Sequence, residues 1–167
     1  EGPVLVVAGA GSGKTTVIVN RIAYIIHHNG VRPGNILAIT FTNKAAREMR
    51  ERVETLLGDT AAGLWIGTFH SMCVRILRTC IDLLGYTRDF IIFDSSDTRT
   101  VMKECLRELN LDEKNFPPRS ILSIISNAKN DMMDYETFEN VYRNDFRMSK
   151  VAEIYRLYQT KLKRNNA

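Results

Sequence analysis

The sequence predicts an α/β fold in which a parallel sheet with flanking helices is followed by an all-helical segment. Three observations carry this. Apolar runs of strand length alternate with amphipathic helical stretches through the first half, a glycine-rich turn joins the first run to the first helix, and no convincing strand follows residue 94. Alternation of this kind is the pattern of a parallel sheet with crossover helices. Val4 to Val7 reads as a buried strand and Lys14 to His28 as a helix, with Val17, Ile18, Ile22, Ile25 and Ile26 towards the sheet and Asn29-Gly30 as its end. Val31-Arg32-Pro33-Gly34 turns the chain, and Ile36 to Ile39 is the next strand, apolar throughout as a strand covered on both faces should be. A second helix from about Lys44 carries Ala45, Ala46, Met49, Val53, Leu56 and Leu57 at helical spacing and closes at Gly58. Leu64-Trp65-Ile66 is a short third strand, and Ser71 to Leu84 a third helix ended by Gly85.

In the second half, Asp94-Ser95-Ser96-Asp97 caps a helix carrying Val101, Met102, Leu106 and Leu109. Phe116-Pro117-Pro118 breaks the chain ahead of Ile121, Leu122, Ile124 and Ile125, and a last helix from about Lys150 carries Val151, Ile154, Leu157 and Tyr158. The change of character near residues 86 to 94 divides the sequence into an α/β part, 1–88, and a helical part, 89–167.

Composition narrows the class. At 167 residues, 44% hydrophobic and 25% charged, the sequence is that of an ordinary globular domain able to bury a core. No apolar stretch approaches the roughly 20 residues of a membrane span, and no signal peptide is evident, so a cytoplasmic protein without a membrane partner is expected. The three cysteines, Cys73, Cys80 and Cys105, have no C-x-x-C spacing. They suggest reduced, partly buried thiols rather than a disulfide framework or zinc site. The formal charge of +4, from 23 Lys and Arg against 19 Asp and Glu, permits nucleic acid as a partner without demanding it.

Residues 8 to 15, Ala-Gly-Ala-Gly-Ser-Gly-Lys-Thr, lie behind the first apolar run and ahead of the first helix. A nucleoside triphosphate needs backbone N–H donors pointing inward and a positive helix end beneath, and this placement supplies both. Gly9, Gly11 and Gly13 let the backbone curl tightly. Lys14 would reach the β- and γ-phosphates, and the Thr15 hydroxyl would ligate Mg²⁺. The expected nucleotide site is thus Ala8, Gly9, Ala10, Gly11, Ser12, Gly13, Lys14, Thr15 and Thr16, with ATP and Mg²⁺ as cofactors and with Lys14 and Thr15 closest to the chemistry. Ala8 stands where the strict pattern has Gly, at a position that only closes the strand end.

Ligands of open parallel sheets gather beyond the carboxyl ends of the strands. Two such ends are polar or aromatic here: Thr40-Phe41-Thr42-Asn43-Lys44-Ala45-Ala46, and Gly67-Thr68-Phe69-His70-Ser71. Hydroxyls, an amide and helix N-termini donate to a phosphate backbone, and an exposed Phe offers a stacking platform for an unpaired base. Together they describe a groove for single-stranded nucleic acid. Plainer roles also fit: Phe41 as a core aromatic, Asn43 and Thr68 as helix caps, and His70 as a histidine packed on the Trp65 strand.

With these segments in order, the sequence resembles the N-terminal part of a superfamily 1 DNA helicase of the UvrD/Rep/PcrA group. Ala8 to Thr15 matches the first helicase motif, Thr40 to Met49 motif Ia, and Gly67 to Leu77 the segment called Ib. Phe93 to Asp97, Pro118 to Leu122 and Ser126 to Asn130 are similar to the helical insertion of those enzymes. The resemblance implies a RecA-like nucleotide-binding fold and an ATP-dependent motor that translocates 3′ to 5′ on single-stranded DNA and unwinds duplexes in repair or replication. It further implies that Phe41 stacks on bases, that Thr42, Asn43, Lys44, Thr68 and His70 line the DNA path, and that single-stranded DNA and single-strand/duplex junctions are the partners. Thr16 departs from the group, many of whose members carry Arg there, and leaves no cation at this position for the adenine base.

Hydrolysis also needs a carboxylate on a second strand, a base and an arginine. Phe90-Ile91-Ile92-Phe93-Asp94 has the general form of a Walker B strand, yet Ser95 stands where the helicases carry Glu, and the resemblance places the Asp-Glu pair further on. A fragment lacking its other helicase domains, with weak or no ATPase activity, is the expectation. The alternatives are a small P-loop kinase using Asp94 as the Mg²⁺ ligand, and a non-enzymatic DNA-binding module.

Overall fold

Leu37–Thr40 (β1) and Trp65–Thr68 (β2) pair in parallel, in the register Leu37 to Trp65, Ala38 to Ile66, Ile39 to Gly67 and Thr40 to Thr68. The structure, a computed structural model, describes residues 2–9 and 11–167. Around this small parallel sheet and beyond it lie seven helices among the described residues, in two compact units, one up to Thr79 and one from Cys80 to Ala167. The fold is mixed α/β.

In the first unit, Lys14–His27 (α1) precedes β1, Asn43–Leu57 (α2) crosses from β1 to β2, and Phe69–Cys80 (α3) follows β2 directly. Helix α2 begins where it does because Thr42, in extended backbone, accepts a hydrogen bond from the Ala45 N–H at 3.1 Å. It closes at Gly58, whose φ of 55° only glycine takes without strain. Ala46, Met49, Val53 and Leu57, at helical spacing, form its buried face. Met49, Val53 and Leu57 pack with Val19, Ile22 and Ile26 of α1 and with Ala38 and Ile66 of the sheet.

Three expectations for this unit are corrected. Val4 to Val7 belongs to no strand: its side chains are 54–88% exposed, because an apolar run needs ladder partners and β1 and β2 pair only with each other. Strand β1 is covered on one face only, with Ala38 buried and Leu37 and Ile39 nearly half exposed. On α1 the buried stripe is Val19, Ile22 and Ile26, while Val17 and Ile18 face outward. A sheet of two strands covers a single stripe of a helix whose apolar residues run most of the way round.

The second unit is helical: Ser95–Glu108 (α4), Pro118–Asn130 (α5), Tyr135–Val141 (α6) and Phe146–Arg164 (α7). Its core joins Met102, Cys105 and Leu106 of α4 to Ile121 and Ile125 of α5, Phe138 of α6, and Val151, Ile154 and Tyr155 of α7. Pro118 opens α5, where its missing N–H costs nothing. Helix α7 starts four residues ahead of its expected position, because Asp145 caps the Met148 N–H at 2.8 Å. Helix α6, absent from the sequence reading, is a single short stretch capped by Asp134 on the Thr137 N–H. The expected helix from Ser71 to Leu84 is instead α3 from Phe69, followed by a 3-10 turn, Ile81–Leu84, that ends at Gly85 with φ 75°.

Candidate nucleotide and nucleic-acid site

Gly11 and Gly13 hold φ of 74° and 83°, the left-handed region that glycine enters freely. That geometry turns the chain into α1, whose first turn contains no acidic side chain and so leaves the positive helix end uncompensated. The Ser12 hydroxyl donates to the Gly9 carbonyl at 2.6 Å. The Lys14 ammonium curls back over the segment, donating to the carbonyls of Ala8 at 3.1 Å and Gly9 at 2.5 Å. Thr15 is half-buried in the first turn and Thr16 is exposed, its carbonyl accepting from the Asn20 amide at 2.9 Å. Ala10 lies outside the described residues. The segment thus collects a cation, a hydroxyl and a helix N-terminus in one short stretch. Among the described residues no group of three or more His, Cys, Asp and Glu could hold a metal ion.

The second feature follows from register. Since Thr40 pairs with Thr68, the two strand ends lie side by side and the chain leaves both through an aromatic residue, Phe41 and Phe69. Phe41 is wholly exposed and Phe69 61% exposed, which removes the reading of Phe41 as a core residue. His70 is exposed on α3 with its ring edge-on to Phe69 at 6.2 Å. Its exposure does not suit a histidine packed into the Trp65 strand, and the Trp65 ring is covered by the Arg75 guanidinium at 4.0 Å.

The hydroxyls do local work as well. Thr42 caps α2, and the Thr40 hydroxyl donates to the Thr42 carbonyl at 3.1 Å. Thr68 accepts from the Ser71 N–H at 3.4 Å and donates to the Ser71 hydroxyl at 3.1 Å, so it caps α3. Asn43 and Lys44 are exposed in the first turn of α2.

A shallow groove of 300 Å³ runs between α2 and the end of β2, lined by Asn43, Arg47, Arg50, Gly67, Thr68 and Ser71. Gly67 fits closely there: a Cβ would meet the Ser71 hydroxyl at 2.7 Å and the end of the Met72 side chain, which would have to move. Arg50 was not named from the sequence, and Arg47 and Phe69 stood there only within their motif segments, with no role assigned. The signals that could have found them are the 43/47/50 spacing, which puts two cations on the Asn43 face of α2, and the second Phe after a strand end.

Phe90 to Phe93 forms no strand. Asp94 is the N-cap of α4, accepting from the Ser96 and Asp97 N–H groups at 2.6 and 2.9 Å, while Asp97 accepts from the Asp94 N–H in return. These bonds, that from Asp97 first, hold the Asp94 carboxyl below its ordinary range. A carboxylate committed to a helix cap does not support the kinase reading.

A parallel α/β unit with its polar and aromatic surface gathered at the strand ends, followed by a helical unit, is the class that sequence and structure define. The chain belongs to the family described as the UvrD/REP helicase N-terminal domain, whose model matches residues 1–167. Over 167 residues it is 54% identical to the ATP-dependent DNA helicase PcrA of Bacillus subtilis, 51% to that of Staphylococcus epidermidis and 50% to that of Staphylococcus aureus. All of the chain is aligned in each case, and it spans 22% of the Bacillus protein and 23% of the staphylococcal ones.

Proposed function

We propose that this chain is the ATP-binding part of an ATP-dependent DNA helicase, with ATP at residues 8–16 and single-stranded DNA across the strand ends. The observation that carries the reading is the Thr40–Thr68 register, which sets two exposed phenylalanines, two helix N-termini and a groove with two arginines side by side. Bases would stack on Phe41 while Thr42, Asn43, Lys44, Thr68 and His70 meet the backbone. On the nucleotide side, Lys14 would exchange the carbonyls of Ala8 and Gly9 for phosphate oxygens. Thr15 would add one hydroxyl to a Mg²⁺ held otherwise by phosphate and water, an arrangement Mg²⁺ favours. The bound ion would neutralise phosphate charge.

A RecA-like sheet is part of the same reading. Val4 and Val6 face β1 and α1 across an apolar groove of 620 Å³, walled by Ile22, Leu37 and Ile39, and β1 has an unpaired edge. Another strand seated there would bury these residues and give Val4 to Val7 its ladder. The catalytic carboxylates, the arginines that stabilise the transferring phosphate, and any junction-binding surface are assigned to other parts of a longer protein. The parts 1–88 and 89–167 are proposed as partial RecA-like and helical insertion domains.

The experiment is equilibrium titration with a fluorescent ATP analogue and Mg²⁺, together with a phosphate-release assay. The chain should bind the analogue, Lys14→Ala should abolish that binding, and neither should turn over ATP. Unchanged binding by Lys14→Ala, or brisk DNA-stimulated turnover by the 167 residues, would refute the assignment.

A further inference from the structure

The groove between α2 and β2 holds two arginines one turn apart, and their surroundings differ. Arg50 reaches from α2 across to the sheet and donates through Nη2 to the Ile66 carbonyl at 2.5 Å. Ile66 is buried and is followed by Gly67 and Thr68, the last residues of β2. Arg47 lies on the same face and is exposed, with no hydrogen-bond or ion-pair partner among the described residues. Asn43, one turn further towards the N-terminus, completes the row.

We propose that the two arginines divide the work of the nucleic-acid groove: Arg47 pairs with a phosphate of the strand, whereas Arg50 is a positioning residue that ties α2 to the end of β2. The proposal rests on the reading of this groove as a single-strand path. A guanidinium already donating to a carbonyl is pre-organised and loses little further entropy in holding two elements together. Its bond ties α2, two turns in from its Asn43 end, to β2 two residues before Thr68. The close fit at Gly67 works to the same end, since Met72 and Ser71 sit where a Cβ would be. Arg47, by contrast, has a free fork suited to a phosphate.

The two roles separate in salt dependence. Each phosphate contact on a single strand adds ~0.7 to the slope of log affinity against log salt. A residue that only positions others adds nothing to it. The test is oligodeoxythymidylate binding by fluorescence anisotropy over a range of NaCl concentrations, with affinity for the ATP analogue as the folding control. Arg47→Met should weaken binding and lower the slope by ~0.7. Arg50→Met should weaken it about tenfold, the scale of one lost charged hydrogen bond, with the slope unchanged. Gly67→Ala, which removes no charge, should give the Arg50 phenotype and keeps the test open if Arg50→Met fails to fold.

A lowered slope for Arg50→Met, or no loss of affinity, would overturn the positioning role. An unchanged slope for Arg47→Met would overturn the phosphate assignment. If the parent chain binds no oligonucleotide, the reading of the groove fails and this proposal with it, an outcome distinct from any seen in the variants alone.

Discussion

Cys105 shows how burial sets chemistry at single positions. Its side chain has no exposed surface, and desolvation pushes the thiol up to about 11, the Lys161 ammonium opposing the shift and Glu108 and Glu104 adding to it. The neutral thiol is the stable form inside, so its contribution to stability is present below the unfolded value near 9.0 and is lost as pH rises towards 11. Two outcomes follow for Cys105: alkylation at pH 8 should wait on unfolding, and the thermal midpoint of the parent should fall between pH 9 and 11 more than that of Cys105→Ala. Mass spectrometry of iodoacetamide-treated protein and a pH series of melts check them. Prompt labelling of Cys105 in the native chain would contradict the assignment. At residues 8–16 and the strand ends the sequence pointed to positions by residue type, and the structure shows Phe41 exposed rather than in the core. Arg47 and Arg50 received no role because a charged helix face reads as solvated surface until the neighbouring strand end is in place.

Among the elements, what the sequence disclosed depended on whether a described element covers the apolar residues. Helices α2, α4 and α5 were legible, with apolar stripes matched by caps at Thr42 and Asp94 and by Pro118. Helix α6 was not, since seven residues give too few repeats for a periodicity to show. Val4 to Val7 has the composition of a buried strand, and only the absence of a ladder partner among the described strands leaves it exposed. The helical unit, by contrast, closes its own core. Leu106 has no exposed surface and lies in the cluster formed with Ile121 and Ile154. Leu106→Ala should therefore cost about 2–5 kcal/mol, through lost transfer energy and the cavity left behind. Chemical denaturation followed by circular dichroism measures it, and a cost under about 1 kcal/mol would mean that the α4–α7 packing is not as described.

For the whole molecule, the same contrast bears on function. One unit forms a core among its own four helices, though Met132 and Phe146 stay exposed; the other leaves apolar surface on α1, β1 and Val4 to Val7 beside its proposed ATP and DNA surfaces. Family membership was legible from three ordered motifs, and the small open sheet was not, because strand number depends on pairing partners rather than on local pattern. The measurement that bears most directly on the central claim is the affinity of the chain for a fluorescein-labelled oligodeoxythymidylate, compared with that of Phe41→Ala. The account predicts that the parent binds and that the variant loses about 1–3 kcal/mol of binding, the value of one base stacked on an aromatic ring. Equal affinities for the two proteins, or no binding by the parent, would contradict it.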